Sequence, residues 1–74
     1  MLIKVRLFAT LRDGRGKELE LQMGSSPTVR DILSMLHIKR EDVALLLING
    51  RDGSFDIPLS EGDTVSMFPP VGGG

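Results

Sequence analysis

One stretch of this 74-residue chain, PTVRDILSML (Pro27 to Leu36), carries a helical hydrophobic period, and its isolation constrains the fold more than any other feature. Val29, Ile32, Leu33 and Leu36 fall at i, i+3, i+4 and i+7, which places one apolar stripe on a short helix predicted over about 28 to 37. Thr28 is suited to cap its start, and Asp31 three residues later suits both a capping box and the positive end of the helix dipole. No second stripe of this kind occurs. Strands must therefore build the rest of the core against one helix.

The flanking segments read as those strands. Ile3, Val5 and Leu7 alternate with Lys4 and Arg6, and Leu19, Leu21 and Met23 alternate with Glu18, Glu20 and Gln22, the period of two for a sheet with one buried face. The glycines of RDGRG (Arg12 to Gly16) lie between them and predict an antiparallel hairpin. After the helix, VALLLI (Val43 to Ile48) is apolar at every position, the pattern of a central strand, with an exposed apolar patch as the alternative. Asn49-Gly50 predicts a tight turn, and an irregular stretch through Gly53, Phe55 and Ile57 follows. SEGD (Ser60 to Asp63) predicts another turn before a last strand, TVSMF (Thr64 to Phe68), in which Phe68 faces away from Val65 and Met67. Hairpin, helix and two or three further strands make an α+β fold: a mixed sheet of four to five strands with one main helix packed on one face, the β-grasp layout.

The sheet must end at Pro69 and Pro70, because neither offers an N–H to a ladder. Two prolines favour an extended form, so the chain divides into a domain over 1–68 and an extended, flexible tail over 69–74. That tail finishes on Gly72, Gly73 and Gly74. At roughly 7% glycine usage, three in a row arise by chance about 3 times in ten thousand, which favours a working segment over an idle one. Its reactive group is the α-carboxylate of Gly74, ionised at neutral pH and a poor electrophile until something activates it. An acyl-adenylate made with ATP would supply the leaving group. An attacking thiol, persulfide or amine would then meet an unhindered glycine carbonyl.

Composition removes the competing chemistries. The chain has no cysteine and a single histidine, His37, whose place near the helix C-terminus suits a surface residue; no ligand set for a metal is recognisable. Nine Lys and Arg against ten Asp and Glu, with no Trp or Tyr, argue against a nucleic-acid partner. No segment approaches the ~18 apolar residues of a membrane span, and Lys4 and Arg6 interrupt the N-terminal apolar run where a signal peptide needs continuity, so a cytoplasmic location is expected.

FATLR (Phe8 to Arg12), PTVRDIL (Pro27 to Leu33), ING (Ile48 to Gly50), PLSEGD (Pro58 to Asp63) and FPPVGGG (Phe68 to Gly74) together make the chain similar to the ubiquitin-like sulfur carriers. It most resembles the molybdopterin synthase small-subunit (MoaD-like) branch, with the thiamin-pathway (ThiS-like) carriers as near relatives. The resemblance implies that Gly74 is adenylated by a ubiquitin-activating-type enzyme that uses ATP, and is converted to a thiocarboxylate with sulfur from a donor such as a persulfide protein. It implies that Gly73 and Gly74 form the diglycine end, that Gly72 stands where the family accepts various residues, and that Phe68, Pro69, Pro70 and Val71 lead into the synthase large subunit. No tightly bound cofactor is implied, and catalysis lies with the partners. Molybdenum and tungsten cofactor assembly would use the same carrier, and thiamin-pathway carriers and ubiquitin-like protein modifiers share the tail.

Overall fold

A computed structural model describes residues 1–70. Strands β1 (Leu2–Leu7), β2 (Glu18–Gln22), β3 (Leu45–Ile48), β4 (Arg51–Asp52) and β5 (Thr64–Phe68) form one sheet in the order β2-β1-β5-β3-β4, and the helix α1 (Val29–Leu36) packs on one face. This is the predicted β-grasp arrangement. The last strand lies at the centre, parallel to β1 and antiparallel to β3, while β1 with β2 and β3 with β4 are antiparallel hairpins.

Side-chain alternation fixes the register. Ile3, Val5 and Leu7 of β1, with Val65 and Met67 of β5, turn to the helix side and meet Val29 and Ile32, all fully buried. A shift of one residue in either central strand would send this set to solvent. Leu33, Ile38, Val43, Leu46 and Leu59 close the core around them.

The helix begins and ends as its sequence dictates. The Thr28 N–H donates to the Asp31 carboxylate at 2.8 Å, and at the other end His37 adopts a left-handed conformation (φ 56°). The Ile38 N–H then returns to the Leu33 carbonyl at 2.9 Å, the six-to-one bond of a Schellman stop.

Two segments differ from the expected outline. The β1–β2 connection is longer than RDGRG alone, because the chain leaves β1 at Phe8, takes a positive φ of 52° at Ala9 and forms a 3-10 turn over Ala9–Arg12 that seats Leu11 in the core. Arg15 fastens this connection to the end of α1 by donating to the Leu36 and His37 carbonyls at 2.9 and 3.2 Å. VALLLI is half core and half surface: Val43 and Leu46 are buried, whereas Leu45 is 43% exposed on the open face of the sheet. β3 has strands on both sides, but the helix covers only one face.

The Asn49-Gly50 turn, with φ values of 54° and 81°, joins β3 to the two-residue β4. Asn49 also holds the 60–63 turn, since its Nδ2 donates to Asp63 Oδ1 at 2.9 Å and its Oδ1 accepts the Thr64 N–H at 2.9 Å.

Candidate functional site

The chain leaves the sheet at the end of its central strand. Val65 and Met67 point into the core, so Phe68, with Ser66, lies on the opposite, helix-free face. In the parallel pairing of β1 with β5, Leu7 stands beside Met67. The next residue of that chain segment, Phe8, therefore arrives beside Phe68, and its N–H donates to the Met67 carbonyl at 3.2 Å. The two rings stack with centroids 4.1 Å apart and planes 12° from parallel.

Two guanidinium groups surround this pair. Arg12 folds back from the 3-10 turn, donates from Nε to the Leu7 carbonyl at 2.7 Å and brings its Cζ to 5.3 Å from the Phe8 ring centroid. Arg6, the preceding open-face residue of β1, lies 5.6 Å from the same ring. Both distances allow a cation–π attraction. On the other side the Ala44 N–H donates to the Phe68 carbonyl at 2.8 Å and brings the start of β3 alongside.

Between these parts lies a groove of about 470 Å³, floored by Phe8, Phe68 and Leu45 and walled by Ala44, Pro69 and Pro70. Its surface is apolar, and Arg6 and Arg12 flank the Phe8 ring that lines it. Nothing in it can act as a nucleophile or a general base. Such a groove can bind and orient a partner, but bond making must be done elsewhere. Among the described residues no group of three His, Asp or Glu side chains converges as a metal site, and no helix is long and apolar enough to cross a membrane.

Of the predicted site residues, Phe68, Pro69 and Pro70 come together on this groove, while Val71, Gly72, Gly73 and Gly74 lie outside the described residues. Phe8 and Arg12 were not singled out as site residues by sequence, whereas Leu45 belongs to the exposed apolar patch that VALLLI offered as its alternative reading. Phe8 left a signal nonetheless: it continues the outward phase of Lys4 and Arg6, so a parallel neighbour carrying Phe68 outward would place the two aromatics together.

The fold and this groove define a ubiquitin-like β-grasp domain that presents its C-terminal segment from the central strand. The chain belongs to the ThiS family of ubiquitin-like sulfur carriers, whose family pattern matches residues 5–74. It is 35% identical over 81 residues to the molybdopterin synthase sulfur carrier subunit of Escherichia coli (strain K12), covering 99% of this chain and 100% of that one. It is 33% identical over 92 residues to small archaeal modifier protein 3 of Haloferax volcanii, covering all of both. Among solved structures, the putative molybdopterin converting factor subunit 1 of Pyrococcus furiosus superposes with a TM-score of 0.79 at 30% identity, over 96% of this chain and 99% of that one. One chain of the complex of subunits 1 and 2 of molybdopterin-converting factor from Helicobacter pylori 26695 matches at a TM-score of 0.65 and 25% identity over the full length of both chains.

Proposed function

We propose that this protein is the sulfur-donating small subunit of a molybdopterin synthase, carrying sulfur as a thiocarboxylate on Gly74. In this reading the Gly74 carboxylate attacks the α-phosphorus of ATP on an activating enzyme and releases pyrophosphate. A persulfide sulfur then displaces AMP from the acyl-adenylate. A thiol cleaves the resulting acyl disulfide, leaving the thiocarboxylate on glycine and a disulfide on the donor side. The chain itself contributes no acid or base. Its work is to hold the tail at a fixed point and offer the Phe8–Phe68 groove to a partner.

The observation that carries this reading is the placement of FPP at the end of the central strand, on an apolar groove with no chemistry of its own. Full-length similarity to a named sulfur carrier subunit supports the molybdopterin assignment, and the Helicobacter pylori complex supports a large subunit as one partner. The domain over 1–68 and the tail over 69–74 are part of the same proposal. A second reading, attachment to proteins through an amine attack on the same adenylate, is favoured by the similarity to small archaeal modifier protein 3.

The test is intact-mass spectrometry after incubation with ATP, a candidate activating enzyme and a persulfide donor. A mass gain equal to one oxygen replaced by sulfur, absent when Gly74 is deleted, is expected. Sulfur loading that survives the deletion would overturn the assignment, and glycine-terminated isopeptides on other proteins would favour the modifier reading.

A further inference from the structure

A second recess lies on the helix side of the molecule and shares no residue with the tail groove. It is open, about 590 Å³, and is walled by Arg30, Ser34, His37, Lys39 and Arg40, with Leu33 and Ile38 beneath. Three of the nine Lys and Arg residues of a chain with net charge −1 border this one recess. Acidic residues nearby do not consume them all. Asp56 takes the Arg30 Nε–H, and Glu41 and Asp42 share the 3-10 turn of Arg40 (Arg40–Asp42) without lining the recess.

Two of the cations are held in place by the fold. The Arg40 guanidinium lies 3.9 Å from the Phe55 ring centroid, and its Nη1 donates to the Val43 carbonyl at 3.2 Å. Arg30 is held by its Asp56 bond, and its backbone N–H donates to the Phe55 carbonyl at 3.3 Å. The segment carrying Phe55 and Asp56 thus braces both. Among the described residues, the terminal nitrogens of Arg30 and the ammonium of Lys39 make no hydrogen bond or ion pair. The Arg30 terminal nitrogens are both fixed and unspent, so they lose little freedom when an anion arrives, which favours binding, and Lys39 adds a free charge beside them.

The spacing indicates the shape of the ligand. Arg30, Ser34 and His37 stand at i, i+4 and i+7, so the helix side of the recess is about 10 Å long at 1.5 Å per residue. An extended peptide rising about 3.3 Å per residue would cover that length with three or four residues. A lone phosphate would engage only one end of it.

We propose that this recess docks an acidic, extended segment of a partner protein, on the helix face of the carrier and apart from the groove where the tail departs. The site goes beyond the sulfur-carrier reading and stands without it. Its test is fluorescence anisotropy with fluorescein-labelled hexaglutamate and the full chain, comparing Lys39→Glu, the pair Arg30→Glu with Lys39→Glu, and Lys4→Glu on the sheet face as control.

Lys39→Glu is expected to weaken binding about fivefold and the double variant about tenfold or more, from the usual strength of exposed ion pairs. Lys4→Glu should leave binding within about twofold. Raising salt from about 50 to about 200 mM should weaken it further, because exposed charges are screened. Equal weakening by Lys4→Glu, or undiminished binding by the double variant, would overturn the proposal. So would complete displacement by equimolar inorganic phosphate, which would mark a small-anion site. Among the described residues the Lys39 side chain makes no hydrogen bond or ion pair, so its variant keeps the test valid if Arg30→Glu disturbs the 53–57 segment.

Discussion

Removing the Phe68 ring probes the tail groove most directly. Truncating a buried Phe to Ala costs about 3–5 kcal/mol, and Phe68 is half-buried, so Phe68→Ala should lose roughly half of that, about 1.5–2.5 kcal/mol. In a domain of this size each kcal/mol lowers Tm by about 4–8 °C, giving a fall of roughly 6–20 °C. Phe8, also half-buried, should fall in the same range.

The two losses are coupled. Rings stacked at 4.1 Å and 12° contribute about 0.5–1.5 kcal/mol beyond their area burial, so the double variant should be less destabilised than the sum of the singles by that amount. Urea denaturation of the four proteins measures the difference. A coupling below about 0.3 kcal/mol, where non-contacting sites already add, would refute the stack as an energetic unit. If the groove is also the centre of a partner interface, Phe68→Ala should weaken binding to the cognate large subunit by about 2 kcal/mol, roughly 30-fold in Kd. Unchanged affinity with the full stability loss would make Phe68 a structural residue alone.

Three further perturbations follow from the packing. Ile32 is fully buried under the sheet, so Ile32→Ala should lose about 2–5 kcal/mol by denaturant titration; a loss under about 1 kcal/mol would contradict the core assignment. Asn49→Ala removes two side-chain hydrogen bonds and puts alanine at φ 54°, an expected loss of about 2–3 kcal/mol, whereas Asn49→Gly should recover about 1 kcal/mol because glycine accepts that backbone; equal losses would refute the backbone part. The hydrogen bond from Arg30 holds the Asp56 carboxyl below its ordinary value of 3.8, so the stability it contributes is present above that value and is lost as pH falls through the lower, folded one. Both groups are exposed, so the Tm difference between the protein and Asp56→Asn should be small at neutral pH and vanish in acid; a difference that grows on acidification would reverse the sign.

The elements were legible where their signals are local. The Thr28–Asp31 cap, the stripe of α1, the Asn49-Gly50 turn and all of β5 follow from residues within a few positions of one another. What escaped sequence reading is carried by distance along the chain. Phe8 and Phe68 are sixty positions apart, and only the parallel pairing of β1 with β5 makes them neighbours. The same limit applies to Phe55, which gains its place through Arg40 and the start of α1. VALLLI was ambiguous for another reason: apolarity at every position says that both faces tolerate burial, but not that a lone helix leaves one of them open.

The position of β5 also has a mechanical consequence. Any partner that draws the tail into a channel pulls on the C-terminal end of a strand registered against β1 on one side and β3 on the other. A pull along that axis loads both ladders in shear, so their hydrogen bonds resist together, whereas an edge strand peeled from its end would lose them one at a time. The thread can therefore be taut while the body keeps its shape, and the load reaches the anchored rows of Val65 and Met67 before it reaches the helix.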